Sequence, residues 1–159
     1  MISKYGKLFK DLDTSQISCF QYNTNQNYYT FIQEMQQKGF HQCIVTSDIM
    51  IKVVEHFILK GNVEITSIEF MVEDDELEDE INTVLKSMRQ NAGYWDILKQ
   101  KLSFLSENDS IEVKRVNFRS LKGSGYLFSI QVNGVIVVSE SEFGNISGII
   151  SKIMEGCIK

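Results

Sequence analysis

Apolar and polar positions change period several times along the chain, and each change predicts an element. Tyr5, Leu8, Phe9 and Leu12 follow helical spacing, so Ser3 to Leu12 reads as a short amphipathic helix. Ile17 to Tyr22 reads as a strand. After the polar stretch Asn23 to Asn27, a helix runs from Tyr28 to about Lys38 and stops at Gly39. Gln42 to Thr46 is β-rich. Ser47 or Asp48 can cap the next helix, which carries Ile51, Val54, Phe57 and Ile58 and ends at Gly61. Val63 to Val72 is the strand that follows. Glu73 to Asn91 then places Leu77, Ile81, Val84 or Leu85, and Met88 on one helical face. Gly93 interrupts it, and a second stretch from Tyr94 to about Leu105 aligns Trp95, Leu98, Leu102 and Leu105.

The last third turns to strands. Ser110 to Arg119 and Gly125 to Val132 are strand-like, and Asn133-Gly134 suits a type I′ turn leading into Val135 to Val138. From Ile111 to Phe118 the apolar residues move from odd to even positions at Lys114-Arg115. A β-bulge is therefore expected there. A closing helix from about Ile146 to Cys157 turns Ile146, Ile149, Ile150 and Ile153 inward. The order predicts a mixed α/β chain in one domain over residues 1–159. Its N-terminal part is β-α-β-α-β with parallel pairing, followed by a central helical segment, an antiparallel hairpin region and a last helix.

Composition changes little of this. The three cysteines, Cys19, Cys43 and Cys157, are far apart and suggest neither disulfides nor a zinc knuckle. No stretch of 18 apolar residues occurs, so a cytoplasmic protein without a membrane span is expected. Absence of proline, a single alanine and Lys over Arg by 13 to 3 fit an AT-rich bacterial or phage genome.

Charge changes more. Glu73, Asp74, Asp75, Glu76, Glu78, Asp79 and Glu80 put seven carboxylates into eight positions without a cation. The whole chain has net charge −5; the remaining 16 basic and 14 acidic groups give +2. Carboxylates gain from a helix start, but seven exceed that need and repel one another. The surplus suits solvation or a basic partner. Lys114, Arg115, Arg119 and Lys122, beside Gly123-Ser124-Gly125, form the opposite cluster. Phosphate or nucleic-acid contact is the reading there.

Glu112-Val113-Lys114 resembles the Glu-x-Lys half of the metal-dependent nuclease motif of the PD-(D/E)xK type. The resemblance covers three residues and implies a divalent ion on Glu112 with Lys114 beside the attacking water. The upstream acid that the motif needs has no counterpart on a neighbouring strand, and Asp96 falls within a helix. His41 and His56 lack companions for a metal site or an oriented base. Tyr29 falls off its helix's apolar stripe and is a candidate contact residue. The expected function is a non-catalytic interaction module, an accessory subunit or an immunity or inhibitor protein, docking a basic protein through the acidic helix start. Self-association is compatible with this reading, and no cofactor is called for. The alternatives are a nuclease using Glu112 and Lys114, and a nucleotide- or nucleic-acid-binding module on the basic strand.

Overall fold

A computed structural model describes residues 2–60, 62–123 and 125–157; Gly61 as a helix stop and Ser124 of the glycine-flanked turn lie outside them. In chain order the elements are β1 Ser3–Asp11, β2 Ile17–Tyr22, α1 Tyr28–Gln37, β3 Phe40–Gln42, α2 Ser47–Lys60, β4 Val63–Phe70 and α3 Asp75–Gln90. They continue with α4 Trp95–Asn108, β5 Val113–Ser120, β6 Leu127–Gln131, β7 Val135–Ser139 and α5 Phe143–Cys157. Short 3₁₀ turns at Ala92–Tyr94 and Glu140–Glu142 precede α4 and α5. No helix of the described residues is long and apolar enough to cross a membrane. The chain is mixed α+β and packs as two compact units. One is Met1–Ile44 with Asn133–Lys159, and the other is Val45–Val132.

In the first unit the N-terminal segment is a strand and not the expected helix. β1 pairs antiparallel with β2 along one edge, and with β7 and β3 along the other. Its middle residues, Gly6, Lys7, Leu8 and Phe9, are all buried, so both faces are covered. A strand buried on both faces loses its alternation, and four residues with accidental helical spacing then mislead. This corrects the topology as well. β2 and β3 both run antiparallel to β1, so they point the same way across α1, as expected of β-α-β. They hydrogen-bond to β1 between them and not to each other, and the expected parallel pairing does not form.

Phe9 on β1 meets Phe31 of α1 edge to face at 5.7 Å between ring centres. Phe9, Phe31, Ile32 and Met35 form the core of that face, flanked by Phe20, Tyr22, Tyr28 and Phe40. The opposite face takes α5. A Cβ at Gly6 would lie 2.5 Å from both Cys19 Sγ and the Phe143 ring, so only glycine admits this helix so closely. α5 begins three residues before the expected start, and its buried stripe is Phe143, Ile146, Ser147, Ile150, Ser151 and Met154. Gly39 closes α1 at φ +90° as expected. Gly134 takes φ +80° while Asn133 does not take a positive φ, so the turn there is not type I′.

The second unit holds β4, β5 and β6 in antiparallel order. Phe57 of α2 packs at 5.5 Å from Phe118 and 5.1 Å from Phe128, which stack on each other at 4.8 Å. The expected bulge is present: Glu69 pairs with Arg115 and Phe70 with Val113, leaving Lys114 as the extra residue. A second bulge at Thr66 lies between Ile65–Phe118 and Ser67–Asn117. α3 buries Leu77, Ile81 and Leu85 of its expected stripe and leaves Met88 half-buried, and α4 buries Trp95, Leu98, Leu102 and Leu105 as the spacing predicts. The N-cap of α2 is Thr46, whose Oγ1 accepts from Ile49 N–H at 3.5 Å, and neither Ser47 nor Asp48.

Candidate functional site

The acidic segment links β4 to α3. Asp74 is the N-cap: its backbone is extended and its Oδ1 accepts from Leu77 N–H at 3.1 Å. Asp75, Glu76 and Glu78 occupy the first turn, where the helix dipole favours negative charge. All seven acids are exposed, while Leu77 among them turns inward and anchors the helix. Among the described residues only Glu80 pairs with a cation, Lys101 of α4 at 2.8 Å. Just before the run, Met71 and Val72 are 58% and 46% exposed, an apolar pair joined to the acidic surface.

The basic cluster is arranged differently. Antiparallel register sets Glu64 opposite Arg119 and Glu69 opposite Arg115. Arg115 Nη1 lies 3.5 Å from Glu69, and Arg119 Nη1 lies 3.7 Å from Glu64. Between them Asn117 Nδ2 donates to Ser67 Oγ at 2.9 Å and to Glu69 Oε2 at 3.1 Å. The result is a cross-strand polar ladder in which each of the two arginines faces a glutamate. Lys114, on the bulge, and Lys122 are exposed.

Glu112 stands just before β5. Ser47 Oγ donates to its Oε2, and Ser106 Oγ donates to its Oε1 at 3.0 Å. Ser47 Oγ in turn accepts from Val113 N–H at 3.1 Å. The carboxylate thus ties the start of α2 and the end of α4 to the start of β5. Lys114 projects from the bulge, which breaks the alternation that the Glu-x-Lys motif needs. No group of three His, Cys, Asp or Glu side chains able to hold a metal occurs among the described residues. His41 is exposed on β3, and His56 packs edge-on against Phe57 at 5.6 Å. Tyr29 is 77% exposed, off the α1 stripe as expected.

Sequence reasoning missed two charged arrangements. Lys7 is fully buried; its ammonium donates to the Asn133 carbonyl and lies 5.8 Å from the centre of the Tyr28 ring. Burial pushes it down to about 8, with the Cys43 thiol pulling the other way. Glu55 of α2 accepts from Lys99 Nζ at 2.7 Å and Trp95 Nε1 at 3.0 Å, two donors of α4. Hydrogen bonds from Lys99 and then Trp95 hold its carboxyl below the usual range. Period carries no signal of either, because Lys7 sits in a misread strand and Glu55 lies 40 and 44 residues from its partners. The cysteines are free, and burial raises the Cys19 thiol to about 12, so it stays protonated and unreactive at neutral pH.

No family model, curated protein or solved structure matches this chain.

Proposed function

We propose that the protein is a non-catalytic interaction module, of the accessory, immunity or inhibitor kind, that docks a basic protein surface through Met71–Glu80. One observation carries the reading: six of the seven carboxylates in this segment have no cationic partner among the described residues. Exposed, uncompensated charge steers association and sets its salt dependence. Met71 and Val72 supply apolar area that a charged surface alone lacks. The rival readings have less support. Arg115 and Arg119 already face glutamates, and both oxygens of Glu112 accept from serines.

The test is a combined Glu76→Gln, Glu78→Gln, Asp79→Asn variant, which spares the Asp74 cap and the Glu80–Lys101 pair. Pull-down from the native cell with the wild-type chain should capture a basic protein that the variant releases. That capture should weaken as salt shortens the screening length to about 3 Å near 1 M. Equal capture by wild type and variant at all salt concentrations sinks the reading.

A further inference from the structure

We propose that a cavity in the Val45–Val132 unit is a binding site for a small apolar carboxylate, such as an arylacetate or a short branched-chain acid. The cavity has a volume of about 160 Å³ and lies among the end of α2, the start of β4 and the end of α3. Ile58, Val63, Ile65, Leu85 and Met88 line its body. Ile65 and Leu85 are each 2% exposed, so the floor belongs to the core. An apolar cavity of about 150 Å³ is large enough to take up benzene. One six-membered ring, or four to six aliphatic carbons, is therefore the size of guest that fits.

The mouth selects the head group. Glu64 and Arg89 line it, with Asn62 and Ala92. Arg89 Nε lies 3.8 Å from Glu64, and Arg119 Nη1 approaches the same carboxylate at 3.7 Å. Two guanidinium groups thus share one carboxylate, leaving a local charge of +1. Neither contact is at the roughly 2.7–2.9 Å of a charge-assisted hydrogen bond. A second carboxylate beside Arg89 would complete the pairing, with its apolar part in the cavity. A cation would meet the surplus positive charge, and a neutral guest would leave it unused. This site is separate from Met71–Glu80 and does not rest on the docking reading.

Titration calorimetry with phenylacetate, 2-phenylethanol and phenethylamine on the full chain tests the assignment. Phenylacetate should bind with a dissociation constant below about 1 mM, an ordinary efficiency for so few atoms. The alcohol and the amine should bind at least about 10-fold more weakly, the worth of a hydrogen bond to a charged group. Arg89→Gln, at an exposed helix end, should remove that preference by bringing phenylacetate down to the affinity of the alcohol. Ala92→Trp, at the rim, should block all three probes. Absence of phenylacetate binding, equal affinity for the three probes, or a preference that survives Arg89→Gln would each overturn the proposal.

Discussion

The two compact units handle charge in opposite ways. In the first, one lysine, Lys7, lies in the interior beside the Tyr28 ring with a carbonyl for a partner. In the second, charge stays near water, part of it paired across strands and helices and part left uncompensated at the start of α3. The difference separates two kinds of unusual residue. Lys7 is unusual through its surroundings, and nothing in its sequence neighbourhood marks it. The acidic run is unusual in sequence and ordinary in surroundings, since every member is exposed. A buried ion is a cost that the fold carries, whereas a solvated surplus is available for association.

The largest expected effect tests the buried side. With Lys7 at about 8, against an ordinary value of 10.5, the folded chain binds fewer protons than the unfolded chain between those limits. The wild type therefore gains stability as pH rises from about 8 to 10.5, and carries the full penalty below that window. Lys7→Met should stabilise the protein at pH 7 by on the order of 1–3 kcal/mol, after allowance for the lost hydrogen bond to Asn133. The advantage should shrink through the same window. Urea denaturation at pH 7 and pH 10 measures both quantities. A less stable Met variant, or a difference that ignores pH, would mean that the ammonium is well compensated where it lies.

Next in size is the paired ladder. Glu64→Gln with Glu69→Gln changes the net charge from −5 to −3 and releases Arg89, Arg115 and Arg119. At low salt the double variant should bind duplex DNA about 10-fold more tightly than the wild type. Its log–log salt slope should be steeper by roughly 2–3, one increment per phosphate newly neutralised. A wild-type chain that already binds DNA as well as the variant would show that the glutamates do not mask the arginines. The comparison would then fail in the second unit.

Most of the second unit was legible in the sequence because its elements are buried on one face. The apolar stripes of α3 and α4 kept their period, and the slip at Lys114 announced its bulge. The Thr66 bulge had the same signal in the three-residue step from Ile65 to Ile68, which passed unused. What stayed hidden were partners far apart in sequence. Glu64 and Glu69 lie five apart and Arg115 and Arg119 four apart, a mismatch that makes sense only once the Thr66 bulge sets the register. Ser47 served as a plausible cap in sequence, yet its hydroxyl reaches Glu112, 65 positions away. In the first unit a single misread strand hid both the antiparallel order and the buried lysine. The seven acids were legible as a cluster, and the absence of a cationic partner for six of them among the described residues needed coordinates.

A smaller effect distinguishes the structural acid from the surplus ones. Asp74→Ala removes the N-cap of α3 and should cost about 1 kcal/mol. For a chain of this length that is roughly 2–4 °C in melting temperature. Glu78→Gln should change stability by less than about 0.5 kcal/mol, as exposed substitutions usually do. If thermal melts show the two variants to be equal, the run acts as one undivided charge and Asp74 has no separate role.

The smallest expected effect lies in the helix pair α2–α4, where charge is compensated at the surface of the second unit. Lys99 and Trp95 both donate to Glu55, and their hydrogen bonds favour its ionised form. A carboxyl whose folded value is depressed adds stability above its unfolded value and loses it as pH falls through the folded one. Side chains of Glu55 and Lys99 are 32% and 44% exposed, so solvent screens most of this. Lys99→Gln should therefore cost only about 0.2–0.5 kcal/mol at pH 7, and nothing measurable once acid has protonated Glu55. Trp95 is the chain's one tryptophan, and its indole donates to the same carboxylate. Its fluorescence thus reports the site directly, in the same denaturation experiment that measures stability. A cost that persists unchanged at low pH would assign Lys99's contribution to the packing of its aliphatic stem. The second unit would then hold less paired charge than its geometry suggests.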